Sequence, residues 1–346
     1  MDYLLERPQQ TKIGEHRSGV AIKNLGVPAG SRLGPLLYSI YTTDLPKTTS
    51  PSSMVVSFAD DSTNSTAHKS AEKVKEQLEN DAAAISQYMR SNRLLIAEQK
   101  SQFILAASKH KVKTKEEKEI SIKIGGHDIK QSETAKILGV IMNNKLDFSN
   151  HLFGVPGDLE ETGLVRKLSR RIGLAFKIQH LPFKMRKMVM EAVFMSKMMY
   201  GMELWGAATK GQIRQIETLQ KRAARLITRN PKSFSSEGNL KQCGWIEVED
   251  TIKLRTLTMM HKARVNQTIP YFEKYVGRGR SAIESKIPVY EDSQGQVVKR
   301  STIPRFCTLW NSLPQTCRTA PIKSFKREVK QFLAKEREAL KADQIM

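Results

Sequence analysis

Cysteine is scarce in this chain and poorly placed: Cys243, Cys307 and Cys317 are the only three in 346 residues. An odd set without a C-x-x-C pair excludes a disulfide-framed fold and offers no zinc-finger spacing, so reduced, incidental thiols are expected. A Cys243–His261 metal pair is the alternative these thiols leave open. Long apolar runs are missing too. No stretch approaches the roughly 20 residues of a membrane helix, and the N-terminus has no apolar signal run. The expectation is a nuclear or cytoplasmic location with no membrane partner. Acid is what the second half lacks. Residues 151–346 hold 36 Lys/Arg against 18 Asp/Glu, whereas residues 1–150 hold 21 against 17. Most of the net charge of +22 therefore lies beyond residue 150, where it would attract polyanions; a merely solvated basic helical domain is the plainer reading. A hydrophobic share of 39% argues against disorder and suffices for two or three domains.

Against that background, Phe58-Ala59-Asp60-Asp61 is the most informative motif. The apolar, β-prone run Met54-Val55-Val56-Ser57-Phe58 leads directly into two adjacent carboxylates, followed by more strand-compatible residues. This pattern predicts a β-hairpin with acid at its turn. Adjacent carboxylates repel, so both remain ionised only where water or cations compensate. Mg²⁺ is the natural compensator, since it is held by one or two carboxylates together with substrate phosphates; a solvated turn is the other reading. Upstream, a loop through Gly26-Val27-Pro28-Ala29-Gly30-Ser31 opens onto Leu33, Leu36, Leu37, Ile40 and Tyr41 at helical spacing, closed by Pro46.

This order of loop, helix and Phe-Ala-Asp-Asp hairpin resembles the palm of reverse transcriptases from non-LTR (LINE-type) retrotransposons. The similarity continues through Ser86-Gln87-Tyr88-Met89, Asn92-Arg93-Leu94 and Lys100-Ser101, where a helix end followed by two short strands is expected. It continues again through Lys136-Ile137-Leu138-Gly139-Val140 to His151, a hairpin that grips the primer in the family, and reaches Trp310-Asn311-Ser312-Leu313-Pro314 with Phe325-Lys326. The chain departs from the family at Ala29 (usually Gln), Tyr88 (Trp), Ala97 (Asn), Asn143 (acidic) and Phe148 (Trp). It also lacks the family's pattern Asp-x-x-x-Ala-Phe-Asp upstream of the loop; only Asp2, Glu6 and Glu15 precede it. The resemblance thus implies a palm without its fingers and first catalytic strand, and no useful polymerisation by this chain alone.

The fold implied is α+β: a partial polymerase palm with antiparallel sheet and packed helices over 1–150, a helical basic thumb-like domain over 151–230, and a mostly helical region over 231–346. The function implied is that of an RNA-directed DNA polymerase fragment, acting in the intact parent on an RNA template, a DNA primer and deoxynucleoside triphosphates with two Mg²⁺ ions. Asp60 would be the main metal-binding aspartate and Asp61 its partner. Gly30 and Ser31 would lie against template–primer or nucleotide, and Lys100 near the departing pyrophosphate. The alternative is a non-catalytic nucleic-acid-binding remnant or domesticated protein.

Periodicity orders the remainder. A long helix is predicted from about Lys69 to Arg90, with Val74, Leu78, Ala82, Ile85 and Met89 on one face. A hairpin is predicted around Gly125-Gly126, and helices at 164–179, 182–200, 211–229, 252–265 and 324–340. Seven methionines between Met185 and Met202 suit adaptable core packing. Lys221, Arg222, Arg225 and Arg229 lie opposite an apolar face, where they would neutralise backbone phosphates or simply face solvent. The charge-dense run Lys109–Glu119 is most simply a solvated loop between strands, with phosphate contact as the alternative; Gly277-Arg278-Gly279-Arg280 is a weak candidate for phosphate or RNA contact, and an irregular, proline-punctuated stretch runs from it through Pro288 and Pro304.

Overall fold

A computed structural model describes residues 3–106, 120–160, 162–266 and 302–343; the 109–119 run, the Gly-Arg segment and Pro288 lie outside the described residues. The chain divides into two compact units, residues 1–133 and 134–346.

The first unit begins with nested antiparallel pairs, β1 (Arg7–Gln9) with β4 (Ala21–Lys23) and β2 (Lys12–Ile13) with β3 (His16–Arg17). The Arg7 guanidinium donates to the carbonyls of Leu25 and Gly26, tying this ribbon to the Gly-Val-Pro loop. Helix α1 (Gly34–Tyr41) follows, with Pro35 in its first turn, where a missing N–H costs nothing. Gly34 is required there: a Cβ would meet Ser31 Oγ at 2.9 Å and Val27 Cγ2 at 3.2 Å. A 3₁₀ turn over Leu45–Thr48 buries Leu45 and packs against β5 (Met54–Phe58), which pairs with β6 (Asp61–Ser65).

Helix α2 (Ala71–Ser91) starts on a Ser70 side-chain cap and buries Val74 and Ala82. Beyond it the expected pair of short strands is replaced by a 3₁₀ turn at Glu98–Lys100 and a single β-bridge at Phe103, paired with Gln131. Arg93 takes a positive φ of 53°, and among the described residues no strand pairs with 94–96, which leaves Leu95 96% exposed. The unit closes with the predicted hairpin β7 (Ser121–Ile124) and β8 (His127–Lys130) around Gly125-Gly126.

The second unit opens with β9 (Thr134–Ile137) and β10 (Val140–Asn143), joined through Leu138 and Gly139, both at positive φ. Two successive left-handed residues make the tight turn that suits the strand twist. The sequence pattern groups this hairpin with the residues before it; its packing is with those after it, through Val140 and α3 (Ser149–Phe153). Helix α4 (Gly163–Lys177) follows. The predicted helix over 182–200 forms in three pieces: α5 (Phe183–Met190), a π-helical turn over Glu191–Met195, and α6 (Ser196–Met199). Then come α7 (Met202–Trp205), α8 (Lys210–Thr228) with a Thr209/Gln212 capping box, α9 (Ser236–Cys243) and α10 (Val248–Asn266). Helices α11 (Thr302–Ser312), α12 (Gln315–Arg318) and α13 (Ile322–Asp343) complete the described chain. Pro304, read from sequence as part of an irregular stretch, sits in the first turn of α11, where proline is tolerated.

Two apolar clusters fill this unit. One gathers Leu168, Ile172, Met190, Phe194, Met198, Met202, Trp205, Ile216 and Ile227 among others. The other gathers Leu257, Met260, Phe306, Trp310, Leu313, Phe325 and Val329, with His261 stacked on Phe325 at 4.0 Å. The Trp310–Leu313 motif and Phe325 are therefore core. So are four of the seven methionines, whereas Met185 and Met188 are exposed. The three cysteines are free and buried, and burial pushes the Cys243 thiol up to about 11. Cys243 belongs to the first cluster, while His261 bonds the Ala320 carbonyl beside the second, so the two do not form a metal pair.

Candidate active site

Asp60 occupies the turn between β5 and β6, and Asp61 opens β6 directly opposite Phe58. Ala59 before them adopts φ +53°, a left-handed geometry that tightens the turn and projects both carboxylates at its tip. Both are exposed. One face of the hairpin carries Met54, Val56 and Phe58, exposed at 41%, 53% and 66%. The other face is held by a polar anchor. Asn64 Nδ2 donates to Asp81 Oδ2 at 3.1 Å, and Asp81 Oδ1 accepts from the Ser50 N–H at 3.0 Å and from Gln77 Nε2 at 3.1 Å.

Asp81 is 2% exposed and is the residue sequence reading missed. Burial works to raise its pKa, but hydrogen bonds from the Ser50 N–H, Asn64 and Gln77 outweigh it and hold the carboxyl below its ordinary value. A signal was available. Asp81 lies three residues after Leu78 and four before Ile85, on the apolar stripe of α2, where a carboxylate is out of place unless it is bonded.

Gly30 takes φ +76°, and Ser31 Oγ receives the Tyr3 hydroxyl at 2.6 Å and the Gly34 N–H at 3.0 Å. Ser31 thus secures the start of α1. The far end of that helix is tied to α2 by Tyr41, whose hydroxyl donates to the Asn92 carbonyl at 2.6 Å, and by Tyr88, whose hydroxyl donates to the Tyr41 carbonyl at 3.1 Å. Lys100 ends an exposed 3₁₀ turn. Among the described residues no hydrogen bond or ion pair joins Gly30, Ser31 or Lys100 to the aspartate pair.

The donor set is incomplete for a metal ion held by protein alone. Two adjacent carboxylates are present, and among the described residues no group of three or more His, Cys, Asp or Glu side chains could hold a metal ion. Asn143, where the resemblance expects an acid, is instead a buried structural residue. Its amide donates to Asp147, Ser149 and Asn150 and its carbonyl accepts from the Asp147 N–H, fastening β10 to α3.

On α8, Lys221, Arg222 and Arg225 fall within about 100° of one another at 3.6 residues per turn, away from the buried Ile216, Gln220, Ala223, Ala224 and Ile227, and Arg229 follows as the helix's C-cap in a left-handed conformation. Their surroundings differ. Arg222 and Arg229 are exposed, and Arg229 Nε donates to Gln179 Oε1 at 2.8 Å. Lys221 lies close to the carboxyls of Glu217 and Glu247.

Residues 2–142 match the family described as reverse transcriptase (RNA-dependent DNA polymerase). The chain is 27% identical over 206 residues to a probable RNA-directed DNA polymerase from transposon X-element of Drosophila melanogaster, covering 59% of this chain and 22% of that protein. It is 23% identical over 235 residues to the RNA-directed DNA polymerase from mobile element jockey of the same organism, covering 66% and 24%. A third Drosophila protein, the probable RNA-directed DNA polymerase from transposon BS, is 26% identical over 277 residues, covering 77% and 29%. The matches thus span less than a third of each relative's length. No solved structure matches the chain.

Proposed function

We propose that this chain, whose residues 2–142 match the reverse transcriptase family and which is similar to polymerases of mobile elements, is a non-LTR retrotransposon reverse transcriptase that supplies the aspartate hairpin and the basic helical grip of an RNA-directed DNA polymerase. The observation that carries this reading is the placement of Asp60 and Asp61 at the tip of a tight antiparallel hairpin, behind the Gly-Val-Pro loop and its helix. Asp60 is the principal metal-binding carboxylate and Asp61 its partner. When bound, Mg²⁺ supplies charge neutralisation at phosphate oxygens, and its remaining ligands must come from the nucleotide and from a carboxylate beyond this pair. For that reason the described residues alone do not polymerise.

The other roles follow from position. Gly30 and Ser31 shape the loop that faces template–primer or nucleotide, with Tyr3 and Gly34 keeping it rigid. Lys100 is the cationic donor for departing pyrophosphate. The α8 stripe, chiefly Arg222 and Arg229, neutralises backbone phosphates of the RNA template or DNA primer without reading sequence.

The test is primer extension on an RNA template with Mg²⁺, using this chain extended N-terminally to include an Asp-x-x-x-Ala-Phe-Asp segment. Extension that vanishes with Asp60→Asn, and separately falls with Asp61→Asn, is the expected result. Should both substitutions only tighten nucleic-acid binding, with no extension to lose, the carboxylates are relics and the chain is a non-catalytic binding protein.

A further inference from the structure

The apolar hold on α13 ends partway along the helix. Phe325, Val329 and Leu333 bury its first half in the second apolar cluster. Beyond Leu333 none of the described side chains is buried: Ala334, Lys335, Glu338, Ala339 and Leu340 are all exposed. What reaches back from this half is charge. Arg337 pairs through Nη1 with Glu247, just before α10, and through Nη2 with Asp250 on α10 at 2.9 Å. Beside it Lys253 lies 3.7 Å from Glu336 and 3.9 Å from Asp250. We propose that the carboxyl pair Glu217–Glu247, which carries this clasp, is a proton-operated latch: while the pair shares a proton the end of α13 is docked, and loss of that proton releases it.

The chemistry lies in the pair. Glu217 on α8 and Glu247 are hydrogen-bonded to one another. Ionised carboxylates only accept, so that bond requires one proton between the two. Glu217 holds it. Burial, then the bond with Glu247, pushes Glu217 up to about 7, with Lys221 and Arg337 opposing. Burial works to raise Glu247 as well, but its bonds with Glu217 and Arg337 hold it below its ordinary value. Glu247 is thus the ionised partner that faces Arg337, and Glu217 is its neutral donor. Asp250 is raised by burial, against Arg337 and Lys253.

The charged groups around the pair come from three elements: Lys221 from α8, Asp250 and Lys253 from α10, and Glu336 and Arg337 from α13. With Glu217 neutral, the carboxylates of Glu247, Asp250 and Glu336 are matched by Lys221, Lys253 and Arg337. Removing the proton adds an unmatched carboxylate, breaks the Glu217–Glu247 bond and leaves an ionised group where burial disfavours it. Water reaches that group when a neighbour moves, and the end of α13 is the neighbour without an apolar anchor. The sign follows from linkage. A carboxyl raised in the docked state contributes to docking fully below its ordinary value of 4.5, and the contribution is lost as pH rises to about 7.

The test is hydrogen exchange on the full chain at pH 5 and pH 8, with rates corrected for the intrinsic effect of pH. A short stretch off its support frays, so release registers as exchange over residues 334–340. Wild type should exchange there about ten-fold faster at pH 8, a figure reduced for partial solvent screening, with residues 322–333 and α8 unchanged. Glu217→Gln keeps a neutral donor for Glu247 and should keep exchange slow at both pH values. Arg337→Gln removes the clasp and should make it fast at both. Equal corrected rates in wild type would overturn the proposal, as would a rise at pH 8 that persists in Glu217→Gln or slow exchange in Arg337→Gln. A rise shared by α8 and residues 322–333 would mean that the whole unit loosens, and would overturn it too. If Arg337→Gln fails to fold, wild type against Glu217→Gln carries the test unaided.

Discussion

The two units are held together by different means. Among the described residues the first buries five apolar side chains, Leu45, Val74, Ala82, Phe103 and Ile122, while the second buries thirty-nine. The first unit spends its apolar residues on open surface instead: Ile13, Val20, Ile22 and Leu25 on the ribbon, Leu36 and Ile40 on α1, and Val56 and Phe58 on the aspartate hairpin are all exposed. Its order comes from polar ties: Arg7 to two carbonyls, the Tyr41–Asn92 and Tyr88–Tyr41 bonds, and Asp81 at the meeting of three segments. The second unit is organised by burial, and its polar groups decorate a core that already exists. Chemistry tends to be placed where stability is locally low, and the aspartate pair lies in the unit with the thin core.

The contrast breaks most visibly in the core of the second unit. Trp310 is fully buried beside His261 and Phe325, so Trp310→Ala should cost about 3–5 kcal/mol. Urea denaturation followed by helical circular dichroism would register it as a large drop in midpoint. A loss below about 1 kcal/mol would mean that α10, α11 and α13 are not a cooperative core.

Asp81→Ala is the corresponding break in the first unit, and it acts through polarity. It strands the Ser50 N–H and the amides of Asn64 and Gln77, at a cost of about 2 kcal/mol. Hydrogen exchange should rise over residues 50–65 and stay unchanged over α8. The pH dependence has a definite sign. A carboxyl whose folded pKa lies below its unfolded value contributes stability that is complete above the ordinary range near pH 4 and is lost as pH falls through the lower, folded value. Acid should therefore loosen the wild-type hairpin and leave the Asp81→Ala hairpin no looser than it already is.

Much of this was legible in the sequence, for reasons that differ by unit. Helices such as α4 and α8 are read to within a residue or two because an apolar stripe at 3.6-residue spacing has one use when a core exists to receive it. The hairpins at 54–65 and 121–130 are equally legible, since each pairs β-prone residues with a turn signal, whereas the one at 134–143 was read from the resemblance alone. The segment after Ser91 was not. Its Leu94-Leu95-Ile96 run looks strand-like, but Leu95 meets solvent and no partner strand arrives, a fact fixed by tertiary contacts. The π-helical turn was equally invisible: Glu191-Ala192-Val193-Phe194-Met195 has no composition to mark it, and it shows only in the backbone. The aspartate pair could be found from its two residues and their flanks. Asp81 was hidden only because an acid on an apolar stripe was passed over.

A smaller effect sharpens the comparison within the second unit, where one polar cluster does bear on stability. Arg337 on α13 pairs with Glu247 and, at 2.9 Å, with Asp250 on α10, while Lys253 spans Asp250 at 3.9 Å and Glu336 at 3.7 Å. Glu217 on α8 is pushed up to about 7, first by burial and then by its hydrogen bond with Glu247, with Lys221 and Arg337 opposing. A carboxyl whose folded pKa is raised binds more protons folded than unfolded, so stability falls as pH climbs from about 4.5 to about 7. Glu217→Gln keeps a neutral, hydrogen-bonding side chain. It should flatten that slope and raise stability at pH 8 by about 1 kcal/mol, a figure reduced for partial solvent screening. Melting curves at pH 5 and pH 8 would check it; equal shifts at both would mean that Glu217 is ionised throughout.

The least disruptive change falls on the residues that matter most for the proposed chemistry. Asp60 and Asp61 are exposed at a turn whose geometry comes from Ala59 and from the ladder Met54–Ser65 to Phe58–Asp61. Neither carboxylate anchors the hairpin; Asn64 and Asp81 do that from the opposite side. Asp60→Asn should therefore shift stability by less than about 0.5 kcal/mol, and exchange over residues 50–65 should match wild type. A larger loss would mean that the tip carboxylates help hold the hairpin, and the division between the two sets of aspartates would fail. If it holds, Asp60 is free to answer to a ligand alone, because nothing in the fold of the first unit depends on its charge.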